Sequence, residues 1–213
     1  DLDAPLHIRV RRLIRVDVER AHIDIRQRIE RTAPSSIPVC LWNISQVAGA
    51  ERVVIPVDAE AQPLDTRHST LGTPSYRVLA FDPPDTNMTA ACEQSAVIDV
   101  AQGTEHKIGS ESPRAWIAAQ KGDTLILEYA VQEDMPGDYP DGGCRVEMYA
   151  NKGLGYTEIE TLSTERNLEV GERLSNTLRI ECYTVATNLT DCELAERVRT
   201  LRGEVTAAPA LAP

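Results

Sequence analysis

This chain lacks the long apolar runs and the excess of basic residues that mark two large classes of protein. No apolar run approaches the roughly 20 residues that span a bilayer, and no basic segment followed by an apolar core resembles a signal peptide. The 33 acidic residues outnumber the 22 basic ones, and the net charge of −11 repels phosphate backbones and anionic lipids. Neither a nucleic acid nor a membrane is therefore expected as a partner.

The cysteines lack any paired spacing. Five are present and none forms a Cys-x-x-Cys motif, so the sequence indicates neither a zinc site nor a complete disulfide framework. Cys182 and Cys192 flank a short connection and are the pair that we expect if a disulfide forms. Asn-x-Ser/Thr triplets begin at Asn43, Asn87 and Asn188, although such triplets also arise by chance. A periplasmic or extracellular location is favoured over a cytoplasmic one.

Several catalytic signatures are also missing. The sequence has no Ser-His-Asp order, no phosphate-binding glycine loop and no histidine pair at metal-ligand spacing. Hydrolase and nucleotide chemistry are therefore not indicated, and neither a cofactor nor a metal is expected. Asp134, Asp138 and Asp141 carry oxygens that calcium could use, but their spacing matches no standard calcium loop.

The sequence does contain a succession of short alternating segments, separated by clusters of Gly, Pro, Asp and Asn. Apolar residues alternate with charged ones over 8–18 and 23–30, and a turn at 32–36 predicts an antiparallel hairpin between 23–30 and 37–45. Further strands are predicted at 53–57, 76–81, 96–100, 115–119, 124–130, 144–150, 155–162 and 174–184. We therefore predict one all-β domain over residues 1–186.

One helix is predicted near the end of the chain. It begins with a capping-box pattern at Thr190 and Glu193. Its apolar stripe consists of Leu194, Val198 and Leu201. We expect this helix, within residues 187–203, to pack on the domain as a lid on a sheet edge, and the Ala/Pro-rich tail at 204–213 to be extended or frayed.

The most informative strand pattern lies at residues 156–162. On a two-residue period Tyr156, Glu158 and Glu160 share one face of the strand. Two carboxylates and a phenol on one surface suit polyhydroxylated ligands, or acid–base chemistry if burial raises the pKa of one carboxyl group. A solvated face of an antiparallel sheet has the same pattern, so the sequence alone leaves both interpretations open.

Several longer motifs can be compared with known families. They are Pro-Val-Cys-Leu-Trp-Asn-Ile-Ser-Gln-Val at 38–47, Tyr-Pro-Asp-Gly-Gly at 139–143, Val-Glu-Met-Tyr-Ala-Asn at 146–151, Tyr-Thr-Glu-Ile-Glu at 156–160 and Leu-Glu-Val-Gly-Glu at 168–172. Together they resemble the galactose-mutarotase-like proteins, and within them an uncharacterised bacterial branch, in which a proline stands where this chain has Val170. The resemblance implies an antiparallel β-supersandwich, a fold used by sugar epimerases, by domains of carbohydrate-cleaving enzymes and by plain carbohydrate-binding domains.

The resemblance also implies roles for particular residues. In the mutarotases a glutamate is the general base on the anomeric hydroxyl and a histidine is the general acid on the ring oxygen. The base is implied at Glu160, whereas the acid position is occupied by Ile44, which cannot transfer a proton. His68, in an irregular stretch at 58–74, is the histidine that we consider as a substitute acid. The family's N-terminal strands have no counterpart before Asp1, so we expect the chain to be truncated, processed or completed at a sheet edge by a partner chain or a second copy.

Four further residues are candidates for ligand binding. The faces of Trp42 and Trp116 could stack on a sugar ring, although tryptophan is more often a core anchor. Arg12 lies on an otherwise apolar strand face, so it needs a carboxylate partner or a ligand oxyanion. Either Glu158 or Glu160 could be that carboxylate. Asp141 lies in a turn where it could contact sugar hydroxyls or bond the local backbone.

The leading prediction is a carbohydrate-binding domain with its ligand on a concave sheet. The residues predicted to hold the sugar are Trp42, Glu158, Glu160, Tyr156, Arg12 and Asp141. The first alternative is an aldose 1-epimerase-like isomerase with Glu160 as the base. The second is a structural or assembly subunit whose open sheet edge takes up a strand from another chain.

Overall fold

A computed structural model describes residues 5–57, 77–79, 89–101, 105–131, 137–151 and 153–204. In chain order its elements are β1 (Ile8–Asp17), β2 (His22–Arg31), β3 (Trp42–Ala48), β4 (Arg52–Pro56), β5 (Arg77–Leu79), β6 (Thr89–Cys92), β7 (Ser95–Asp99), β8 (His106–Ser110), β9 (Trp116–Lys121), β10 (Thr124–Ala130), α1 (Pro140–Gly143), β11 (Val146–Asn151), β12 (Tyr156–Leu162), β13 (Arg173–Thr184) and α2 (Asp191–Leu201).

The strands form two antiparallel sheets. One has eight strands in the order β1-β2-β13-β10-β9-β4-β7-β6, and the other has five in the order β3-β12-β11-β8-β5. The predicted hairpin between 23–30 and 37–45 is therefore wrong, because β2 and β3 lie in different sheets. Instead the Gln27 side chain of β2 donates a hydrogen bond across the sandwich to Asn43 of β3.

The main core fills the space between the two sheets. Alternate residues of β4, β7 and β9 meet alternate residues of β8, β11 and β12, because side chains on a strand point to opposite faces in turn. The fully buried members include Val53, Ile55, Ile98, Ile117, Ile108, Val146, Met148 and Ile159. This core fixes which residues of the five-stranded sheet must point outward.

A polar seam also crosses the sandwich, between β10 and the pair β3–β12. The Ser45 hydroxyl donates a hydrogen bond to Glu128, and the Thr161 hydroxyl donates to the same carboxyl group at 3.2 Å. Glu128 is fully buried, and burial raises its pKa to about 7. Since the hydroxyl donors lower the pKa only in part, the neutral carboxyl group is the form that suits this interior.

Helix α2 forms a third layer. The capping box is present, with the Thr190 side chain accepting from the Glu193 backbone N–H and the Glu193 side chain accepting from the Thr190 backbone N–H. Leu194 and Val198 pack on the outer face of the eight-stranded sheet. The predicted helix and its apolar stripe are therefore confirmed, although the helix covers a sheet face and not only an edge. The domain boundaries stay a prediction, and residues 205–213 lie outside the described part of the chain.

A disulfide ties α2 to the sheet. It joins Cys192 to Cys92 at the end of β6, one hundred residues earlier in the chain. The pairing of Cys182 with Cys192 is therefore wrong, and Cys182 is an exposed free thiol at the end of β13. The sequence separation of 10 residues was misleading, since spacing along the chain does not show which strands meet.

The strand predictions are confirmed for most of the sheet, and β10 has the predicted bounds. Two strands were missed, β6 and β8. β6 (Thr-Ala-Ala-Cys) shows no alternation of large apolar and polar residues, and β8 (His-Lys-Ile-Gly-Ser) has a single large apolar residue. Among the described residues no helix is both long enough and apolar enough to cross a bilayer.

Candidate functional site

The site lies on the outward face of the five-stranded sheet. Strand register places Glu160 of β12 directly opposite Glu147 of β11 on one side and Ile44 of β3 on the other. One step along the sheet, Lys107 of β8 lies opposite Tyr149 of β11. Side chains at these positions share a face because the residues that alternate with them along each strand point into the core.

Lys107 is the centre of the site. Its Nζ atom lies 2.6 Å from Glu147 Oε2, 3.7 Å from Glu160 Oε2 and 3.3 Å from Asp141 Oδ2. It also lies 4.5 Å from the centre of the Trp42 ring, in a cation–π contact. Three carboxylates and an aromatic ring thus surround the ammonium group of Lys107, whose side chain is 16% exposed.

The two glutamates are much less accessible than this lysine. The Glu147 side chain has no exposed surface, and that of Glu160 is 3% exposed. The Trp42 indole N–H donates a hydrogen bond of 2.5 Å to Glu160 Oε2. Trp42 therefore contributes both a ring face for the ammonium and a donor for the base candidate.

Asp141 reaches the site from a tight turn. Its φ angle is 49° and that of Gly142 is 72°, so two successive residues adopt left-handed backbone conformations within α1. The turn is closed by the Cys144 backbone N–H, which donates to the Pro140 carbonyl at 3.1 Å. The Tyr-Pro-Asp-Gly-Gly motif is thus explained as the turn that carries a carboxylate to the edge of the Lys107 cluster.

A glycine leaves the room that this turn needs. A Cβ atom added at Gly109 of β8 would lie 2.5 Å from Cys144 Sγ and 3.2 Å from Glu147 Cγ. Real Cβ atoms do not approach other atoms so closely, and Cys144 is buried. Gly109 therefore allows both the turn and the Glu147 side chain to pack against β8.

The ionisation of the cluster follows from burial and from the lysine. Burial raises the pKa of Glu147 to about 7, even though Lys107 acts in the opposite direction. Burial also raises the pKa of Glu160, against the effects of Lys107 and of the Trp42 donor. Burial alone would lower the pKa of Lys107, but the three neighbouring carboxylates, Glu147 foremost, together outweigh it and the pKa is raised. Near neutral pH the lysine is charged, and Glu147 is poised between its acid and its base form.

One carboxyl oxygen in the site is buried without a hydrogen-bond donor among the described residues. Glu147 Oε2 contacts Lys107, whereas Glu147 Oε1 is buried and accepts no hydrogen bond from the described part of the chain. An unsatisfied buried oxygen is costly, on the order of 1–3 kcal/mol. Because the Glu147 side chain has no exposed surface, a ligand reaches this oxygen only if neighbouring side chains move aside.

Two further predicted residues lie on the same face at a greater distance. Glu158 accepts a hydrogen bond from Gln46 at 3.1 Å and lies two residues from Glu160. Tyr156 lies two residues further, so it is roughly 13 Å from Glu160 along the strand. It lines a separate small cavity of about 140 Å³ with Asn151 and Thr157. The face pattern predicted for these residues is confirmed, but only Glu160 belongs to the Lys107 cluster.

Three other predicted residues are not brought to the site. Trp116 is fully buried beneath α2, where its indole N–H donates to Glu204 at 2.7 Å. Of the two roles considered for it, stacking on a sugar or anchoring the core, it has the second. Arg12 is exposed on β1, in the eight-stranded sheet, and has no carboxylate within salt-bridge distance among the described residues. Its predicted pairing with a glutamate of β12 is therefore wrong. His68 lies outside the described residues.

Sequence reasoning missed Lys107 and Glu147 as site residues. A signal for Glu147 was present, since it alternates with Tyr149 and Asn151 in a motif that had already been singled out. Lys107 gives no such signal, because Ile108 is the single large apolar residue of β8 and the strand shows no alternation. Across the described residues no group of His, Cys, Asp and Glu is arranged to hold a metal ion. Asp134, one of the three aspartates weighed for calcium, lies outside those residues.

Comparisons with known proteins bear on the fold. No protein-family profile matches the sequence, and no curated protein matches it. Among solved structures, the fold is similar to the crystal structure of a "putative aldose 1-epimerase" from Escherichia coli K12, with a TM-score of 0.50 and 9% sequence identity. The likeness covers 85% of this chain and 62% of that one, so this chain spans less than two thirds of its structural neighbour. The chain has the galactose-mutarotase-like β-sandwich fold that its sequence motifs predicted.

Proposed function

We propose that this chain binds a carbohydrate on the outward face of the five-stranded sheet, at the Lys107 cluster. The observation that carries the proposal is the convergence of one ammonium, one indole and three carboxylates on a single sheet face. Sugars offer an apolar ring face and several hydroxyls, and these groups match an aromatic surface surrounded by charged acceptors and a donor. Glu147 itself is fully buried, so the surface that a sugar meets is formed by Trp42, Lys107 and Asp141.

The choice of residues differs from the sequence prediction. Trp42, Glu160 and Asp141 are retained as ligand-binding candidates, and Lys107 and Glu147 are added. Glu158 and Tyr156 extend the same face and would contact only a ligand longer than a single sugar ring.

A second candidate function is that of an aldose 1-epimerase-like isomerase. The observation that favours it is the raised pKa of two neighbouring carboxyl groups, Glu147 and Glu160. Glu160 would accept the proton of the anomeric hydroxyl while Glu147, in its acid form, donates a proton to the ring oxygen. The bond between the anomeric carbon and the ring oxygen breaks to give the open-chain aldehyde, and reclosure gives either anomer. The resemblance places the general-acid histidine of the mutarotases at the position that Ile44 occupies here. The Ile44 side chain is 54% exposed and lies opposite Glu160 on the neighbouring strand.

Export from the cytoplasm stays part of the proposal. The disulfide between Cys92 and Cys192 supports it, since such bonds persist in oxidising compartments. Thiol counting on the chain purified without reductant would give three free thiols if the disulfide is native and five if the chain is fully reduced.

The test is a thermal-shift screen against mono- and oligosaccharides, combined with proton NMR of anomer exchange. Even millimolar binding raises the unfolding temperature at high sugar concentration by mass action. Stabilisation that is lost in Glu160→Gln but kept in Glu196→Gln, an exposed position on α2, supports binding at this site. Exchange that is accelerated by the wild type and lost in Glu160→Gln supports the isomerase. Stabilisation that survives Glu160→Gln unchanged places the sugar elsewhere and contradicts the proposal.

A further inference from the structure

The N-terminal edge of the eight-stranded sheet has an unusual combination of features. β1 pairs with β2 in an unbroken register of ten residue pairs, from Ile8 with Arg31 to Asp17 with His22. It is the first strand in the sheet order, so its other side has no partner strand among the described residues. It contains neither a proline nor a bulge, which are two of the devices that protect an edge strand from pairing.

The inward face of β1 is uncovered, and it is apolar except for Arg12, which lies between Val10 and Ile14. Val10 is 49% exposed, Ile14 is 59% exposed and Val16 is 64% exposed. Their partners on β2 include Ile23 and Ile25, which are only half-buried. The five-stranded sheet ends at β3, so the β1–β2 hairpin extends beyond the layer that covers the rest of this face.

The opposite face of the same hairpin is rich in arginine. Arg11 lies directly opposite Arg28, and Arg26 lies opposite Leu13. Among the described residues no carboxylate lies within 4.0 Å of these three guanidinium groups, whereas Arg9 and Arg173 share Glu30. Like charges directly opposite each other in a sheet are destabilising. The chain as a whole carries a charge of −11, so this cluster is opposite in sign to the rest of the molecule.

A groove lies on the arginine face. It has a volume of about 720 Å³, and its lining includes Arg11, Arg26, Arg28, Val131, Thr177 and Arg179. Arg179 forms a salt bridge with Asp24 at 2.7 Å, so its side chain has a fixed position in the groove lining. Arg11 belongs to β1 itself, so it adjoins any strand added at the free edge. Arg26 and Arg28 lie one strand further in and add to the positive potential of this face.

We propose that β1 is a docking edge for an extended strand of another polypeptide, in which acidic residues alternate with apolar ones. Strand addition satisfies the free backbone groups of β1. The two-residue period then places the acidic side chains beside Arg11 and Arg15 of β1, and the apolar side chains beside Val10 and Ile14 on its other face. This assignment is independent of the Lys107 cluster and goes beyond the sugar-binding proposal.

A second copy of this chain does not fit the edge. Two-fold antiparallel pairing of β1 with itself, with the two apolar faces on one side, places the arginines of both copies on the other side. Arg11 and Arg15 of each copy then lie on a strand adjacent to those of its partner, and the unpaired positive charge on that face doubles. A nucleic acid would meet the arginines, but it would leave Val10, Ile14 and Val16 uncovered.

The test is fluorescence anisotropy with a labelled peptide of sequence Ser-Glu-Val-Glu-Ile-Glu-Val-Glu-Ser and the complete 213-residue chain. A peptide of the same composition with its acidic and apolar residues in separate blocks serves as the control for net charge. We expect the alternating peptide to bind at least about tenfold more tightly than the block peptide, because only alternation serves both faces. Equal binding of the two peptides overturns the proposal.

Charge reversal separates a specific edge from general attraction. In Arg11→Glu/Arg15→Glu we expect the acidic peptide to lose at least about tenfold in affinity, and a matching peptide with lysine in place of glutamate to bind instead. Arg197→Glu, on the exposed face of α2, should change neither result. Tighter binding of a single-stranded oligonucleotide than of the peptide, or a dimer of the free chain in sedimentation, would also overturn the proposal. Thermal unfolding of each variant checks that the fold is kept.

Discussion

Positive charge is buried and paired in the Lys107 cluster, but it is exposed and largely unpaired on the arginine face of the β1–β2 hairpin. In the cluster one ammonium, mostly buried, contacts three carboxylates. On the hairpin several guanidinium groups are exposed or half-buried, and two of them face each other across the strands. Burial forces charges to pair, because an isolated charge in the interior is very costly, whereas water tolerates unpaired charge at an edge.

This difference has a functional meaning. In the cluster the protein's own groups hold each other at fixed positions, and a ligand must fit between them, which suits a small polar molecule. The hairpin offers charge and backbone groups without internal partners, which suits a strand supplied from outside. The two regions should therefore respond very differently to the loss of one positive charge.

The largest effect is expected from Lys107→Met. Removing the ammonium leaves Glu147 buried without its counter-charge, and such a change typically lowers the free energy of unfolding by about 3–5 kcal/mol. Chemical denaturation at pH 8 measures this loss, which should shrink at pH 5, where Glu147 is neutral. Lys121→Met, at an exposed position, is the matched control and should stay within about 0.5 kcal/mol of the wild type. A loss of equal size at both pH values would contradict the assigned ion pair.

A slightly smaller effect is expected from pH acting on Glu128. Its pKa of about 7 in the folded chain lies above the ordinary value of 4.5, so folding favours the protonated form. The stability that this proton confers is complete below pH 4.5 and is lost as the pH rises towards and through 7. The size of this loss is on the order of 3 kcal/mol.

The variant Glu128→Gln tests that assignment. The amide cannot ionise, so the free energy of unfolding should fall less steeply between pH 5 and pH 8 than it does in the wild type. The exposed Glu169→Gln should keep the wild-type slope. If Glu128→Gln and the wild type have the same pH dependence, the raised pKa is wrong.

A moderate effect is expected from Gly109→Ala. The new Cβ atom would lie 2.5 Å from Cys144 Sγ, and overpacking of this kind costs about 1–3 kcal/mol. The same substitution in a Cys144→Ala background should cost much less, since the sulfur is gone. Urea denaturation of the four proteins in this cycle measures the coupling, and an equal cost in both backgrounds would exclude the close contact as the cause.

The smallest effect is expected from Arg28→Gln on the hairpin. Because Arg28 faces Arg11 and has no carboxylate partner among the described residues, its loss should change the free energy of unfolding by no more than about 0.5 kcal/mol. A small gain is in keeping with relief of the like-charge pair. A loss comparable to that of Lys107→Met would remove the contrast between the two regions.

Much of the fold could be predicted from local pattern. The alternation in β10 and β12 and the capping box of α2 are signals carried by neighbouring residues, and each matches the structure. The partners of β2 could not be predicted in this way. It pairs with β1 and β13 and not with β3, because pairing depends on which faces bury together across the whole sandwich.

Only the part of the candidate site that lies on one strand could be predicted from local pattern. Glu160, Glu158 and Tyr156 lie on one strand, so their common face follows from a two-residue period. Lys107 comes to Glu160 only through β11, which lies between β8 and β12. Arg12 was assigned to the site because its strand face is apolar, but that face extends beyond the second sheet and is open to solvent.

The two tryptophans allow the central claim to be tested in one spectrum. Trp42 lies at the Lys107 cluster and Trp116 lies in the core beneath α2, and each indole N–H donates to a carboxylate. In a ¹⁵N-labelled sample titrated with the sugar panel, we predict that the indole signal of Trp42, assigned with Trp42→Phe, moves while that of Trp116 stays in place. A sugar-dependent shift of the Trp116 signal alone, or no shift of either signal across the panel, would contradict a carbohydrate site on this face.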